Sequence, residues 1–434
     1  MGATARREVR TYVEEHRDRL LSVLADLVEE PSVSGHEGDA QEVVVDHVES
    51  LGLDVDVWEP DADRLADHPG YFETSTYEEH GFEGRPNVAA TLPGAGDGPS
   101  IVLGGHVDVV SVNEASWSHD PWRATVEGNR VYGRGACDMK GGLAANLLAV
   151  EALAALDVEL AGDVVVESTI DEEAGGTGGA LSALERGYVP DAAIITEPYG
   201  VPNVGVASAG AMYFEVTVPG RAAHAAHGFQ GVNAVNEATE VVRALDELDR
   251  ERKARVSFEP AVNQYPEAEG AVTNLNVGVF ESGDWPSTVP DEATLRCRIG
   301  WPPGETREEV RAEVEAAVES VAEADDWLAE HPPELRWFGW NSNPHYLDTD
   351  HEFVRLTARN AEEVCGRPGE WTGGLAGLDE RFYVNYYDVP CPSVGPEGGN
   401  VHGADEYVEV DSLVEVAQTV ALTALDWCGT VSDP

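Results

Sequence analysis

Along the first part of the chain, apolar side chains recur with helical spacing. Val9, Tyr12, Val13, Leu20, Val23, Leu24 and Leu27 share one face of a helix predicted over residues 7–29, which Pro31-Ser-Val-Ser-Gly ends. A second helix is predicted over 39–50. Residues 53–58 alternate as a strand, 59–86 read as a polar, aromatic-bearing loop, and 87–92 and 100–103 read as strands. The Ala-rich stretch 141–156 is helical. Residues 164–170 form a buried strand that runs into Asp171-Glu-Glu, 178–186 a helix, and 192–196 a strand ending in Glu197-Pro. Strands and helices alternate, with a polar motif at the C-terminal end of one strand after another. This predicts an α/β fold with a mostly parallel sheet, whose carboxyl-end loops converge on a crevice.

The texture changes after residue 208. Strands are predicted at 212–218, 273–280, 292–299 and 334–340. Helices are predicted at 232–249 and from Thr306 to about residue 324, the second opened by Thr306 as N-cap with Glu309 three residues on. This β-α-β-β-α-β order fits a ferredoxin-like α+β module. From about residue 350 the α/β pattern resumes and closes with a helix over 412–427. The expected organisation is therefore a larger α/β domain of residues 1–207 and 345–434, with residues 208–344 inserted as a smaller domain.

Length and composition fit this division. At about 150 residues per domain, 434 residues make two or three domains, and 42% hydrophobic residues exclude a wholly disordered chain. Five scattered cysteines do not make a disulfide framework. The longest apolar stretch, 141–156, is broken by Asn146 and Glu151 and is too short for a bilayer. The N-terminus has no apolar core of a signal peptide, so a soluble cytoplasmic protein is expected.

Charge changes the picture most. Lys and Arg number 27 against 81 Asp and Glu, a net charge of −54, and only Lys140 and Lys253 are lysines. Nucleic acid and anionic membrane surfaces are excluded as expected partners, because both need a cationic footprint. The acid is spread along the whole chain, which suggests a protein of an extreme halophile, where salt screens the self-repulsion.

Five short motifs carry reactive side chains. Gly104-Gly-His106-Val-Asp108 places a carboxylate two residues after a histidine, where it can fix the ring as a metal ligand. Alone, such a histidine is more often structural. Gly133-Arg-Gly-Ala-Cys-Asp138-Met-Lys-Gly-Gly sets an aspartate among glycines, where backbone can pack tightly around an ion. It also reads as an ordinary Gly-rich turn, with Cys137 a small buried residue. Asp171-Glu172-Glu173 ends a buried strand, where three acids are costly unless a metal or a proton role offsets the burial. Glu197-Pro ends another strand, and Asn400-Val-His402-Gly-Ala-Asp405-Glu406 adds a distant histidine.

Together, His106, Asp138, Glu172, Glu173, Glu197 and His402 stand in an order and context that resembles the M20 family of metallopeptidases and amidohydrolases. The likeness covers nearly the whole chain, including Gly220-Arg-Ala-Ala-His224 and Val289-Pro-Asp-Glu-Ala in the inserted domain. It is most similar to the acetylornithine deacetylase/succinyl-diaminopimelate desuccinylase branch. The resemblance implies a site for two Zn2+, with Co2+ or Mn2+ as substitutes. Asp138 would bridge the ions, His106 and Glu197 would complete one, and Glu173 and His402 the other. Asp108 would orient His106, Glu172 would be the general base, and the peptide after Asp138 would be cis. The inserted domain would serve as lid and dimerisation domain of a homodimer. Its His224 would reach the partner subunit's site and help bind the developing oxyanion.

Chemistry gives the same picture without the family. Paired divalent ions with carboxylate and imidazole ligands suit water activation, and an unligated Glu172 suits proton transfer. The resemblance to the acetylornithine deacetylase branch implies a reaction that removes an N-acyl group from an amino acid. A dipeptidase or carboxypeptidase is the alternative, with a short peptide as substrate, and a catalytically silent binding protein the remote one. Arg298 matches a family arginine that binds the substrate carboxylate, and Arg381 and Gly374 are taken as further substrate contacts. The sequence departs from its relatives at Ser287-Thr288 and at Leu375-Ala-Gly-Leu-Asp379-Glu-Arg381, so specificity cannot be copied from any one of them.

Overall fold

The computed structural model describes residues 2–156 and 159–431. The chain forms two compact units. The larger comprises Met1–Ala207, Tyr346–Thr372 and Leu378–Pro434; the smaller comprises Ser208–His345 and Gly373–Gly377.

The larger unit is built on a five-stranded sheet of β1 (Asp54–Trp58), β2 (Asn87–Leu92), β3 (Ile101–His106), β4 (Val164–Thr169) and β5 (Ala192–Ile195), in the order β1-β2-β4-β3-β5. β3 pairs in parallel with both β4 and β5, whereas β2 runs antiparallel to β1 and β4. The sheet is therefore mostly parallel, with β2 alone reversed. Period-two side chains sort onto its two faces. Ile101, Leu103, Val164, Val166, Ala192 and Ile194 join a core with the helices Lys140–Ala154 and Val410–Cys428. Val102, Val165, Ala193 and Ile195 face the opposite way, toward Leu181, Leu184, Phe382 and Tyr383. Burial on both faces is what a parallel sheet requires.

Two predicted elements of the larger unit differ in kind from the structure. The single helix expected over 7–29 is two, Gly2–Glu15 and Arg17–Glu29. The break is at His16 (φ −106°, ψ 22°), whose ring Nδ1 lies 2.8 Å from the Tyr12 carbonyl. The apolar stripe survives the break, because Val9, Val13, Leu20, Val23, Leu24 and Leu27 are all buried. The loop expected over 59–86 contains two short helices, Ala62–Leu65 and Ser75–His80. Asp61 and Thr74 cap their N-termini with side-chain oxygens, a local signal of the kind that hydrophobic periodicity does not carry.

The smaller unit is built on a four-stranded sheet of β6 (Gly210–Pro219), β7 (Asn274–Ser282), β8 (Glu292–Trp301) and β9 (Glu334–Ser342), all paired antiparallel in the order β7-β8-β6-β9. With helices Ala234–Arg255 and Arg307–Ala324 this is the ferredoxin-like arrangement. Phe214, Val216, Leu295, Cys297, Val241, Leu245, Val310 and Val314 fill its core. Thr306 and Glu309 form the expected capping box. The first helix continues to Arg255, past the predicted end at 249. Arg252, nearly fully buried, pairs there with Glu305 and Glu313. No helix among the described residues is long and apolar enough to cross a membrane.

Candidate metal centre

The three neighbouring parallel strands deliver four of the six side chains. His106 is the last residue of β3. Glu172 and Glu173 sit on a turn just after β4, and Glu197 follows β5 by two residues. Because these strands are parallel neighbours, their carboxyl ends meet at one edge of the sheet. Asp138 enters from the Gly-rich loop before helix Lys140–Ala154, and the Asp138–Met139 peptide is cis. Glycine is required in the first turn of that helix, since a Cβ on Gly142 would lie 2.3 Å from the Thr196 carbonyl oxygen. His402 comes from the other end of the sequence. Strand Tyr407–Glu409 pairs with Arg130–Tyr132, which lays the 400–406 segment against the Asp138 loop. The register is locked by Glu406, whose Oε1 accepts the backbone N–H groups of Cys137 and Asp138, each at 3.0 Å.

The six side chains converge. The two carboxylate oxygens of Asp138 are shared between the histidines: Oδ1 is 3.4 Å from His106 Nε2 and Oδ2 is 3.3 Å from His402 Nε2. His402 Nε2 also lies 3.1 Å from the Glu173 carboxylate. On the other side, His106 Nε2 is 3.7 Å from Glu197 Oε1 and 3.8 Å from Glu172 Oε2. Two groups with metal-ligand chemistry result, His106–Glu172–Glu197 and Asp138–Glu173–His402, the donor atoms of each within 4.8 Å of one another. Glu172 is thus as near His106 as Glu197 is, and distance alone does not separate base from ligand.

Asp108 supports the site in two ways. The His106 ring Nδ1 lies 2.9 Å from the Asp108 main-chain oxygen and 3.4 Å from its Oδ1, which leaves Nε2 facing the cluster. The Asp108 carboxylate also accepts the backbone N–H groups of Glu172 at 3.1 Å and Glu173 at 3.2 Å, and the Ser34 hydroxyl at 2.7 Å.

The electrostatics suit cations. His106 Nε2, Glu172 Oε1 and Glu197 Oε1 are buried and make no hydrogen bond. Burial, reinforced by the neighbouring Asp138, holds the Glu197 carboxyl well above the usual carboxylate range; burial does the same at Glu172 and pushes Glu173 up to about 7. Hydrogen bonding to Asp138 and Glu173 raises His402 to about 10. Four acids and two imidazoles with orphaned donor atoms are poorly stabilised by one another. Two divalent cations would supply the missing charge and coordination, and the mixed O/N set suits zinc, cobalt or manganese. Cys137 is buried, and burial keeps its thiol protonated, so it reads as packing.

The remaining predicted residues lie elsewhere. His224 is exposed in the smaller unit, in a two-residue ladder with Thr288–Val289, and its Nδ1 accepts the Ala226 N–H at 3.1 Å. Arg298 lies on β8, donates to Asn274 Oδ1 at 2.5 Å, and pairs with no carboxylate among the described residues; burial lowers its pKa. Gly374 belongs to the smaller unit, where its carbonyl accepts the Ala209 N–H at 3.1 Å. Arg381, expected to touch substrate, is buried in the larger unit. Its guanidinium donates to the carbonyls of Leu378 and Gly175, so it braces the turn that carries Glu172 and Glu173. Sequence reading missed Glu406, Ser34, Glu37 and Arg85 as supports. Ser34 and Glu406 stand inside the segments 31–35 and 400–406, but neither periodicity nor spacing marks them, or the isolated Glu37 and Arg85, as supports.

The profile of peptidase family M20/M25/M40 matches residues 102–426. The chain is 28% identical over 447 aligned residues to N-formyl-4-amino-5-aminomethyl-2-methylpyrimidine deformylase of Halalkalibacterium halodurans, covering 97% of each protein. It is 27% identical to succinyl-diaminopimelate desuccinylase of Gluconacetobacter diazotrophicus, covering 92% of this chain and 95% of that one. Its fold is similar to that of a dinuclear metal binding peptidase of Bacillus subtilis, with a TM-score of 0.63 at 17% identity over 95% of this chain and 98% of that one. With its metal-ligand groups formed and the family profile matched over most of its length, the chain belongs to peptidase family M20/M25/M40 and is a metal-dependent amide hydrolase.

Proposed function

We propose that the protein binds two divalent metal ions, zinc in the first instance, and uses them to remove a small N-acyl group from an amine-bearing substrate such as an N-acyl amino acid. The observation that carries this reading is the division of the Asp138 carboxylate between His106 and His402. A carboxylate so shared is suited to bridge two ions. His106 and Glu197 would complete one coordination sphere, Glu173 and His402 the other. When bound, such ions polarise an amide carbonyl and lower the pKa of water toward neutrality. Glu172 takes the proton from the attacking water and delivers it to the leaving amine nitrogen. The C–N bond breaks, and the products are a carboxylate and a free amine. Asp108 keeps the His106 ring and the Glu172–Glu173 backbone in place. Its similarity to a deformylase and a desuccinylase favours loss of an acyl group over cleavage of a peptide. Arg298, half-buried and without a counter-ion among the described residues, suits a substrate carboxylate.

The reading extends to a cytoplasmic homodimer from a halophile, joined through the smaller unit. β7 is an edge strand with Val279 and Phe280 exposed, and Phe229 and Trp285 are 82% and 67% exposed on the same unit. His224 of the second copy would then donate to the developing oxyanion. All five cysteines are free, as suits a reducing compartment. The test is a side-by-side assay of N-formyl, N-acetyl and N-succinyl amines, N-acetylornithine among them, against dipeptides, after chelation and after return of Zn2+ or Co2+. Acyl-amine turnover that chelation abolishes and metal restores is the expected result. Cleavage of dipeptides alone would make the protein a peptidase, and activity indifferent to chelation would overturn the metal site.

A further inference from the structure

Behind the turn that presents Glu172 and Glu173 lies a second group of charges. Arg85 is buried and donates Nε to Glu37 Oε2 at 2.8 Å and Nη2 to Glu37 Oε1 at 2.7 Å. The same Nη2 reaches Asp171 Oδ1 at 3.1 Å, and Nη1 donates to the Gly81 carbonyl at 2.8 Å. Glu37 and Asp171 have no exposed surface. Asp171 immediately precedes Glu172 and adopts a left-handed conformation, φ 68° and ψ 10°. A non-glycine residue holds that conformation at a cost, which its surroundings must offset. Here they do: the Asp171 carbonyl accepts the N–H of Gly176 at 2.7 Å and of Ala174 at 3.2 Å, while its carboxylate is held by Arg85.

Stability is a poor reason for such a group. A buried ion triad is often no better than well-packed apolar side chains. What it gives is direction: two paired, charge-assisted hydrogen bonds to Glu37 fix the Arg85 guanidinium, and the guanidinium so fixed holds Asp171 Oδ1 by a third. We propose that Glu37–Arg85–Asp171 is a positioning clamp, which locks the left-handed step at Asp171 and thereby sets where the Glu172 and Glu173 carboxylates sit. The Asp108 carboxylate grips the same turn from the other side, through the backbone N–H groups of Glu172 and Glu173. One short segment serves both grips: Ser34 donates to Asp108, and Glu37, three residues on, anchors Arg85. The inference rests on the proposed metal site, which gives the clamp something to position.

The experiment uses the full chain and Co2+ as the probe, read by titration calorimetry and by the visible absorption of the bound ion. Four variants are compared: Arg85→Met, Glu37→Gln and Asp171→Gly, which break the clamp, and Arg85→Lys. Glycine at 171 adopts the left-handed conformation freely, so this variant removes the anchor while leaving the backbone step permitted. In each clamp-breaking variant that keeps the wild-type circular dichroism spectrum, Co2+ affinity at one site is expected to fall about 10–100-fold, with an altered absorption band. On the substrate that the wild-type chain cleaves, kcat should fall by a similar factor while KM stays within about three-fold, because the ground-state contacts are untouched. Arg85→Lys, which keeps one charged hydrogen bond, should recover part of both losses. If Arg85→Met fails to fold, Glu37→Gln and Asp171→Gly decide the question. Folded variants with the wild-type Co2+ isotherm, spectrum and kcat would overturn the clamp. Failure of the wild-type chain to bind Co2+ would instead overturn the metal site.

Discussion

The backbone N–H of Glu172 points at the carboxylate of Asp108, 3.1 Å from its Oδ1. The two residues are far apart in sequence, yet this bond and its neighbour from Glu173 join the end of β3 to the turn after β4. Asp108 therefore serves both halves of the cluster. Replacing it by alanine should weaken metal binding and lower kcat, each by roughly 10–100-fold, the range for groups that orient metal ligands. Asp108→Asn keeps one acceptor oxygen and should lie between. Calorimetric titration with Co2+ checks this; an Asp108→Ala chain with two sites of unchanged affinity would deny the support role.

Glu172 stands at comparable distances from His106 as Glu197 does, and a conservative substitution separates base from ligand. Glu172→Gln should still bind two metal ions per chain, measured by elemental analysis after dialysis. Its kcat should fall by about 10²–10⁴-fold, as for loss of a general base. Loss of one metal equivalent would move Glu172 into the coordination sphere.

Glu167 is a buried carboxyl on β4 whose Oε2 accepts the Tyr383 hydroxyl at 2.8 Å and whose Oε1 makes no hydrogen bond. Burial pushes its pKa up to about 8. The folded chain thus keeps a proton that the unfolded chain releases at ordinary carboxylate pH. Stability from this group is full below the unfolded pKa and is lost as pH rises toward about 8. Glu167→Gln, which cannot ionise, should gain on the wild type steadily between about pH 5 and 8, as read by urea unfolding midpoints. A constant difference across that range would mean that the carboxyl is already ionised in the fold.

A net charge of −54 makes self-repulsion the dominant long-range term. At molar KCl the screening length is about 3 Å; at 0.01 M it is about 30 Å. The melting temperature should therefore fall as KCl is dialysed from molar to millimolar. Full native circular dichroism and an unchanged melting temperature in dilute buffer would argue against a fold adapted to high salt.

Much of this protein is legible in one dimension. The strands that build the five-stranded sheet and the ferredoxin-like order of the smaller unit are written in hydrophobic periodicity, which is local and survives small errors at element ends. The six candidate metal-centre residues stand in short motifs at strand or loop ends, and it is their order taken together, as in the M20 family, that singles them out. The break at His16 could not be read, since the apolar stripe runs through it unchanged. Nor could the inward turn of Arg381, because a surface arginine and one tied to the Gly175 carbonyl look alike in sequence.

Periodicity thus determined which elements form, and local motifs which side chains are candidates for the chemistry. Only the tertiary structure decided what those side chains share: the Asp138 carboxylate divided between two histidines, Glu406 gripping the Asp138 backbone, and Arg85 tied to both Glu37 and Asp171. The physical reason is range. Side-chain period and capping act over a few residues, whereas hydrogen bonds between segments tens to hundreds of residues apart exist only once strand order and register have brought their partners within 3 Å or so of each other.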